Sequence, residues 1–350
     1  MRASIFAGSL LAASALVAPA LAAGASTASG AGPVVGGYVL EKTVPLGAPD
    51  RWDYVVFDRE GDRVYLAHGD RLTVVDPETG RVAGEVTGIP GGTHGVAISH
   101  RSGRGYTDDG KGQVVGFDLR SLQVTSRADV AEDADAMALD PVTGQVFVMH
   151  GDPKKVSVVA PASGKVVKVI DAGEKLEYAA ADGMGSIFIA GTEKRDVLKL
   201  DTRRGEIVAR WPVPDCPSPH GLAVDGAGHR VFVGCVNATM MVVDTRDGHV
   251  VAKLPIGRGN DAVAFDNRRK RVFATGGVDG TASIYQQAGP NDYTLLETLP
   301  TAITGRTLDV DPKTGRLFVA AVEVDPPATP GGAPRRKAGT LRLLVYRPAS

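Results

Sequence analysis

Seven polar residues recur at one place in a repeated phrase of this chain: Asp53, His94, Asp135, Glu177, His220, Asp261 and Arg306. Each stands five positions before a residue that closes a short apolar run. Those closing residues are Asp58, Ser99, Asp140, Asp182, Asp225, Asp266 and Asp311. Gathered together with neutral imidazoles, four carboxylates against one guanidinium give a formal charge of −3. Such a group would attract a cation or a polar ligand. Crowding would also raise some carboxylate pKa values and draw protons or a metal ion. His94, His220 and Glu177 are the candidate ligands for a divalent metal ion, because imidazole with carboxylate suits one. No contiguous ligand motif such as H-E-x-x-H accompanies them. A structural reading stands beside this one: Asp and His at a strand start tie down loop amides, and Arg306 neutralises acidic neighbours.

Residues so far apart can cooperate only if the fold brings them to one axis. The closing residues are separated by 41, 41, 42, 43, 41 and 45 residues. A period of about 40–45 with several strands per unit is the signature of a β-propeller, one blade per unit. The expected fold is all-β, with seven four-stranded blades. In the first blade the strands read as Tyr54–Phe57, Arg63–Ala67, Leu72–Val75 and Arg81–Val86, joined by turns rich in Asp, Pro and Gly. The last unit lacks a fourth strand after Leu341–Tyr346. The segment Tyr38–Gly47 resembles the outer strand Val250–Gly257 and is expected to complete that blade and close the ring. Every first strand then begins around one channel, with the seven polar residues at its mouth.

Other features are placed by the same frame. The Pro-rich segment Val324–Gly339 should not be strand, because proline cannot donate to a ladder. It would carry Arg335, Arg336 and Lys337 on a loop near the channel mouth. His68 and His150 close second strands and are expected at the rim. His100, His229 and His249 fall in turns of the opposite face. Cys216 and Cys235 flank the first hairpin of blade five, and an exported protein would join them as a disulfide.

Residues 1–22 read as a secretory signal, with Arg2, an apolar stretch and an Ala20-Leu21-Ala22 cleavage site. Residues 23–35 read as a flexible leader, and 36–350 as one propeller domain. The periplasm or the exterior is the expected location, with no membrane span. A net charge of −1 and no basic stripe argue against nucleic acid. A monomer is expected.

The chain resembles the exported YncE-like, YVTN-type seven-bladed propellers. The matching stretches are G-T-H-G-V-A-I-S around His94, D-A-D-A-M-A-L-D-P around Asp135, L-E-Y-A-A-A-D-G around Glu177, C-P-S-P-H-G-L-A-V-D from Cys216 and G-R-G-N-D-A-V-A-F-D through Asp261. His220 departs from the small hydroxyl residue that similar sequences carry there. The resemblance implies a binding or scaffold propeller without an assigned reaction, taking a small polar or cationic ligand, or a protein partner, over the channel-mouth face. The alternative is a metal-dependent, lactonase-like hydrolase with Glu177 or Asp135 as general base. Whether the chain is an enzyme stays open at this point, as does any cofactor beyond the divalent ion.

Overall fold

The protein is described by a computed structural model covering residues 37–326 and 334–349. The signal and leader readings for residues 1–35 lie outside the described residues. Among the described residues no helix is long and apolar enough to cross a membrane.

Seven antiparallel four-stranded sheets follow one another around an axis. The first strand of each is innermost: Val55–Asp58, Val96–Ser99, Ala134–Leu139, Leu176–Ala181, Pro219–Asp225, Val263–Asp266 and Thr307–Val310. Blade seven takes its outer strand from the N-terminal side. Tyr38–Pro45 pairs antiparallel with Arg342–Pro348, from Tyr38 opposite Pro348 to Pro45 opposite Arg342. This pairing closes the ring as the repeat implied, and it leaves no unpaired edge at the junction.

The closing Asp is needed because each inner hairpin turn leaves backbone amides unpaired. Asp140 accepts from the Val142 and Thr143 amides, Asp266 from Arg268 and Arg269, and Asp311 from Lys313 and Thr314. A carboxylate reaching two or three residues ahead supplies these acceptors without disturbing either strand.

Burial follows position in the blade. Second strands are buried almost throughout, whereas an outer strand such as Val124–Asp129 alternates with solvent. Each second strand contributes one buried aromatic at an equivalent position: Tyr65, Tyr106, Phe147, Phe188, Phe232, Phe273 and Phe318, all 2% exposed or less. Seven apolar clusters fill the seven clefts between neighbouring blades, and these aromatics are shared among them.

Val324–Gly339 differs from its sequence reading. Val324–Asp325 pairs with Arg335–Arg336 as a short ribbon, because the prolines at 326 and 334 lie just outside the paired residues. Asp50 holds the base of this segment, accepting from the Gly339, Thr340 and Leu341 amides.

Candidate functional site

The inner strands are not regular at their starts. In blades three, four and five the pairing slips between Ala134 and Met137, Leu176 and Ala179, and Pro219 and Leu222. A bulge re-aims side chains, and here two successive residues line the channel on one side. The first of the two is the predicted ring residue. The second is Tyr54 in blade one and Tyr178 in blade four, but glycine or alanine in blades two and three (Gly95, Ala136) and in blades five and six (Gly221, Ala262). Gly221 is required there: a Cβ would stand 2.6 Å from the Ala262 backbone of the next blade.

All seven ring residues are partly buried, and they act on one another around the mouth. Arg306 donates to Asp261 Oδ2 (2.8 Å) and to the Trp52 carbonyl (2.8 Å), and lies 3.6 Å from Asp53 Oδ2. Its guanidinium also covers the Trp52 ring, as does that of Arg336 on the other segment. Burial pushes the Asp53 carboxyl up to about 6; Arg306 opposes the rise and the charge of Asp261 adds to it. On the blade six, seven and one side of the ring, Arg306 thus bridges two carboxyl groups and offsets one of their charges.

The blade three and four side is different. Asp135 is pushed well above the carboxylate range, first by burial and then by the charges of Asp53 and Glu177. Burial also raises Glu177, with His220 and a hydrogen bond to Asp135 pulling the other way. Two buried carboxyl groups in hydrogen-bond contact cannot both ionise cheaply, so the pair holds a proton between them. The ring therefore carries less charge than the formal −3.

His94 is built in more firmly than its neighbours. Its Nδ1 donates to Asp108 Oδ2 at 2.7 Å, while Asp108 Oδ1 accepts from the His94 and Gly95 amides. Arg51 donates to its Nε2 at 3.1 Å. Burial opposes the imidazolium, but the hydrogen bond and charge of Asp108 outweigh it and raise the His94 pKa. Exposed Arg51 must swing aside for that second proton to bind. His220 contacts Ser218, 3.2 Å from its Oγ.

The metal reading of His94, His220 and Glu177 does not assemble. Both nitrogens of His94 are engaged, and the three residues do not bring donor atoms within reach of one ion. Among the described residues the one group that does is Asp244, Asp247 and His249, in an outer turn of blade five. Its Asp244 is already held by Arg230 and Arg246, which keep that carboxylate far below its usual range.

His68 and His150 are buried rather than at the rim, because the loops between blades cover the ends of the second strands. Each uses both ring nitrogens, His68 on Thr73 and the Pro49 carbonyl, His150 on Ser157 and the Glu132 carbonyl. His100 sits in its predicted turn and pairs with Asp58 at 2.6 Å. Cys216 and Cys235 form the expected disulfide, with both residues fully buried.

Beneath the ring, Tyr54 and Tyr178 meet across the channel with ring centroids 4.7 Å apart, edge to face. They separate the mouth from a cavity of about 650 Å³ that opens on the opposite face. None of the seven ring residues lines that cavity. Sequence reasoning missed the tyrosine partition, Asp108 and Asp309, which accepts from the Phe57 amide at 2.8 Å inside the lower channel. Each of these polar residues interrupts a position that is apolar or small in most other blades, and that signal was available.

This geometry can be set beside known proteins. The family described as outer membrane protein assembly factor BamB matches residues 55–254, more than half of the 350. The chain belongs to this family. No curated protein matches it. Among solved structures, this BamB-family chain is similar to hydrazine synthase of Kuenenia stuttgartiensis, with 15% identity, a TM-score of 0.67, and coverage of 76% of this chain and 91% of the other. It is also similar to the WD40 repeats of RRP9, with 14% identity, a TM-score of 0.75, and coverage of 87% and 97%. At such identities the likeness is one of fold.

Proposed function

We propose that this BamB-family chain is an exported propeller of the YncE-like, YVTN type that binds a small organic cation at the channel mouth. The family is generally a scaffold or binding fold, and a fully buried disulfide suits an oxidising compartment. The observation that carries the reading is the ring of partly buried carboxyl groups, in which burial and neighbouring charge raise Asp135 and burial raises Glu177 beside it. Asp53 and Asp261 are engaged by Arg306, which leaves Asp135 and Glu177 as the part of the ring available to a new positive charge. An ammonium or guanidinium entering there would donate hydrogen bonds to both carboxylates and rest above the Tyr54–Tyr178 partition, where aromatic rings favour a cation. A basic side chain of a partner protein offers the same chemistry.

Calorimetric titration with agmatine tests this. The wild-type protein should show saturable one-to-one binding, weakened at least about tenfold in the double variant Asp135→Asn/Glu177→Gln. Equal affinity in both proteins, or no binding of agmatine or a trilysine peptide, would overturn the reading. A metal-dependent hydrolase on His94, His220 and Glu177 has no comparable support, because the His94 lone pair faces Arg51.

A further inference from the structure

The compartment below the tyrosine partition is a separate site. Two positions before each closing residue the inner strands place Val56, Ala97, Ala138, Ala180, Ala223, Ala264 and Asp309. Five of these seven are alanine, and the short side chains widen the bore. All but Ala97 line the cavity of about 650 Å³, together with Val96, Met137 and Phe265. That volume lies in the range of small-molecule pockets, whose walls are mostly apolar with a few convergent polar groups. Here the charged and polar groups gather at the opening, where Arg59, Asp182, Asp225, Asn267 and Lys270 stand, and above them the wall is mostly alanine and valine with Asp309. Asp309 already accepts from the Phe57 and Val310 amides. At the opening Lys270 pairs with Asp225 at 3.3 Å. The Tyr178 hydroxyl at the roof has no hydrogen-bond partner among the described residues, and Asp309 is the charge that acts on it most strongly. Tyr178 lines the lower cavity together with Asp309.

We propose that this lower cavity binds a neutral, largely apolar small molecule whose carbonyl or hydroxyl oxygen accepts a hydrogen bond from Tyr178. Alanine walls offer such a ligand apolar contact all round. Asp182, Asp225 and Asp309 share the lining with Arg59 and Lys270, so the charges largely offset one another and favour neither anion nor cation, and Asp309 already accepts from backbone amides. The channel would then hold two sites of opposite chemistry on its two faces, divided by the tyrosine pair.

Nile red, a neutral apolar dye with one carbonyl, is the probe. The native protein should bind it one-to-one with a blue-shifted emission. Ala180→Trp projects an indole into the lumen and should abolish binding, while Tyr178→Phe should weaken it about two- to tenfold. Ala264→Phe, on another wall, replaces Ala180→Trp if circular dichroism shows the latter unfolded. Glu177→Gln, on the other side of the partition, should leave dye affinity unchanged, which separates this site from the channel-mouth reading. Absence of saturable binding, or equal affinity in the cavity-filled variant, would overturn the proposal.

Discussion

Replacing Asp196 by asparagine should make the protein more stable at neutral pH while changing little at pH 4. Asp196 is 4% exposed, and its Oδ1 has no hydrogen-bond partner among the described residues. Fully buried Glu174 lies beside it, and Arg210 reaches Glu174 more closely than Asp196. Gly191 makes room for both carboxyl groups, since a Cβ there would stand 2.3 and 2.5 Å from their oxygens. Burial, then the charge of Glu174, pushes Asp196 from 3.8 up to about 7. At tenfold per pH unit, that move corresponds to about 4 kcal/mol for the pair. The sign follows from linkage. Between pH 4 and 7 the unfolded chain gives up this proton while the folded protein keeps it, so stability falls as pH rises and levels off above 7. Asparagine keeps an N–H donor toward Glu174 and removes the ionisation. Urea midpoints of both proteins from pH 4 to 8 would measure this. The difference should grow in favour of Asp196→Asn across that interval. A variant less stable by the same amount at every pH would refute the reasoning.

Three other expectations are more direct. Reduction of Cys216–Cys235, or Cys216→Ser/Cys235→Ser, should cost about 3 kcal/mol by releasing a loop of 19 residues, read as a lower urea midpoint; an unchanged midpoint would contradict this. Phe232→Ala removes one of the seven buried aromatics and should cost about 3–5 kcal/mol, checked by the same unfolding curve. Asp108→Asn should lower the His94 pKa, because the carboxylate that favours its imidazolium is gone; NMR titration of the His94 Hε1 proton reads this, and an unmoved midpoint would show that Asp108 does not set it.

Much of the architecture was legible because a propeller repeats its own chemistry. The closing Asp recurs since every inner hairpin needs the same amide acceptors, so the blades could be counted. The ring residues shared one offset from it. The cysteines flanked one hairpin and needed no further information. What escaped has a physical cause in each case. Tyr54 and Tyr178 share a face with the channel-lining Val56 and Ala180 two residues on, but the other blades carry mostly glycine or alanine at that position, so the repeat does not announce an aromatic partition. Glu174 and Asp196 are 22 positions apart and meet through a turn of blade four. The burial of His68 and His150 depends on covering loops, which strand periodicity does not report. Arg51, which lies outside the repeat, donates to the His94 nitrogen that a metal ion would need, a contact the repeat does not report.

The central claim is that Asp135 and Glu177 form a proton-holding pair that accepts a cation. Calorimetry of agmatine binding at pH 6, repeated in buffers of different ionisation enthalpy, counts protons exchanged on binding. The account predicts release of about one proton per cation bound, lost in the Glu177→Gln variant, because a buried pair can ionise fully only once a positive charge arrives. Binding with no proton exchange would contradict it.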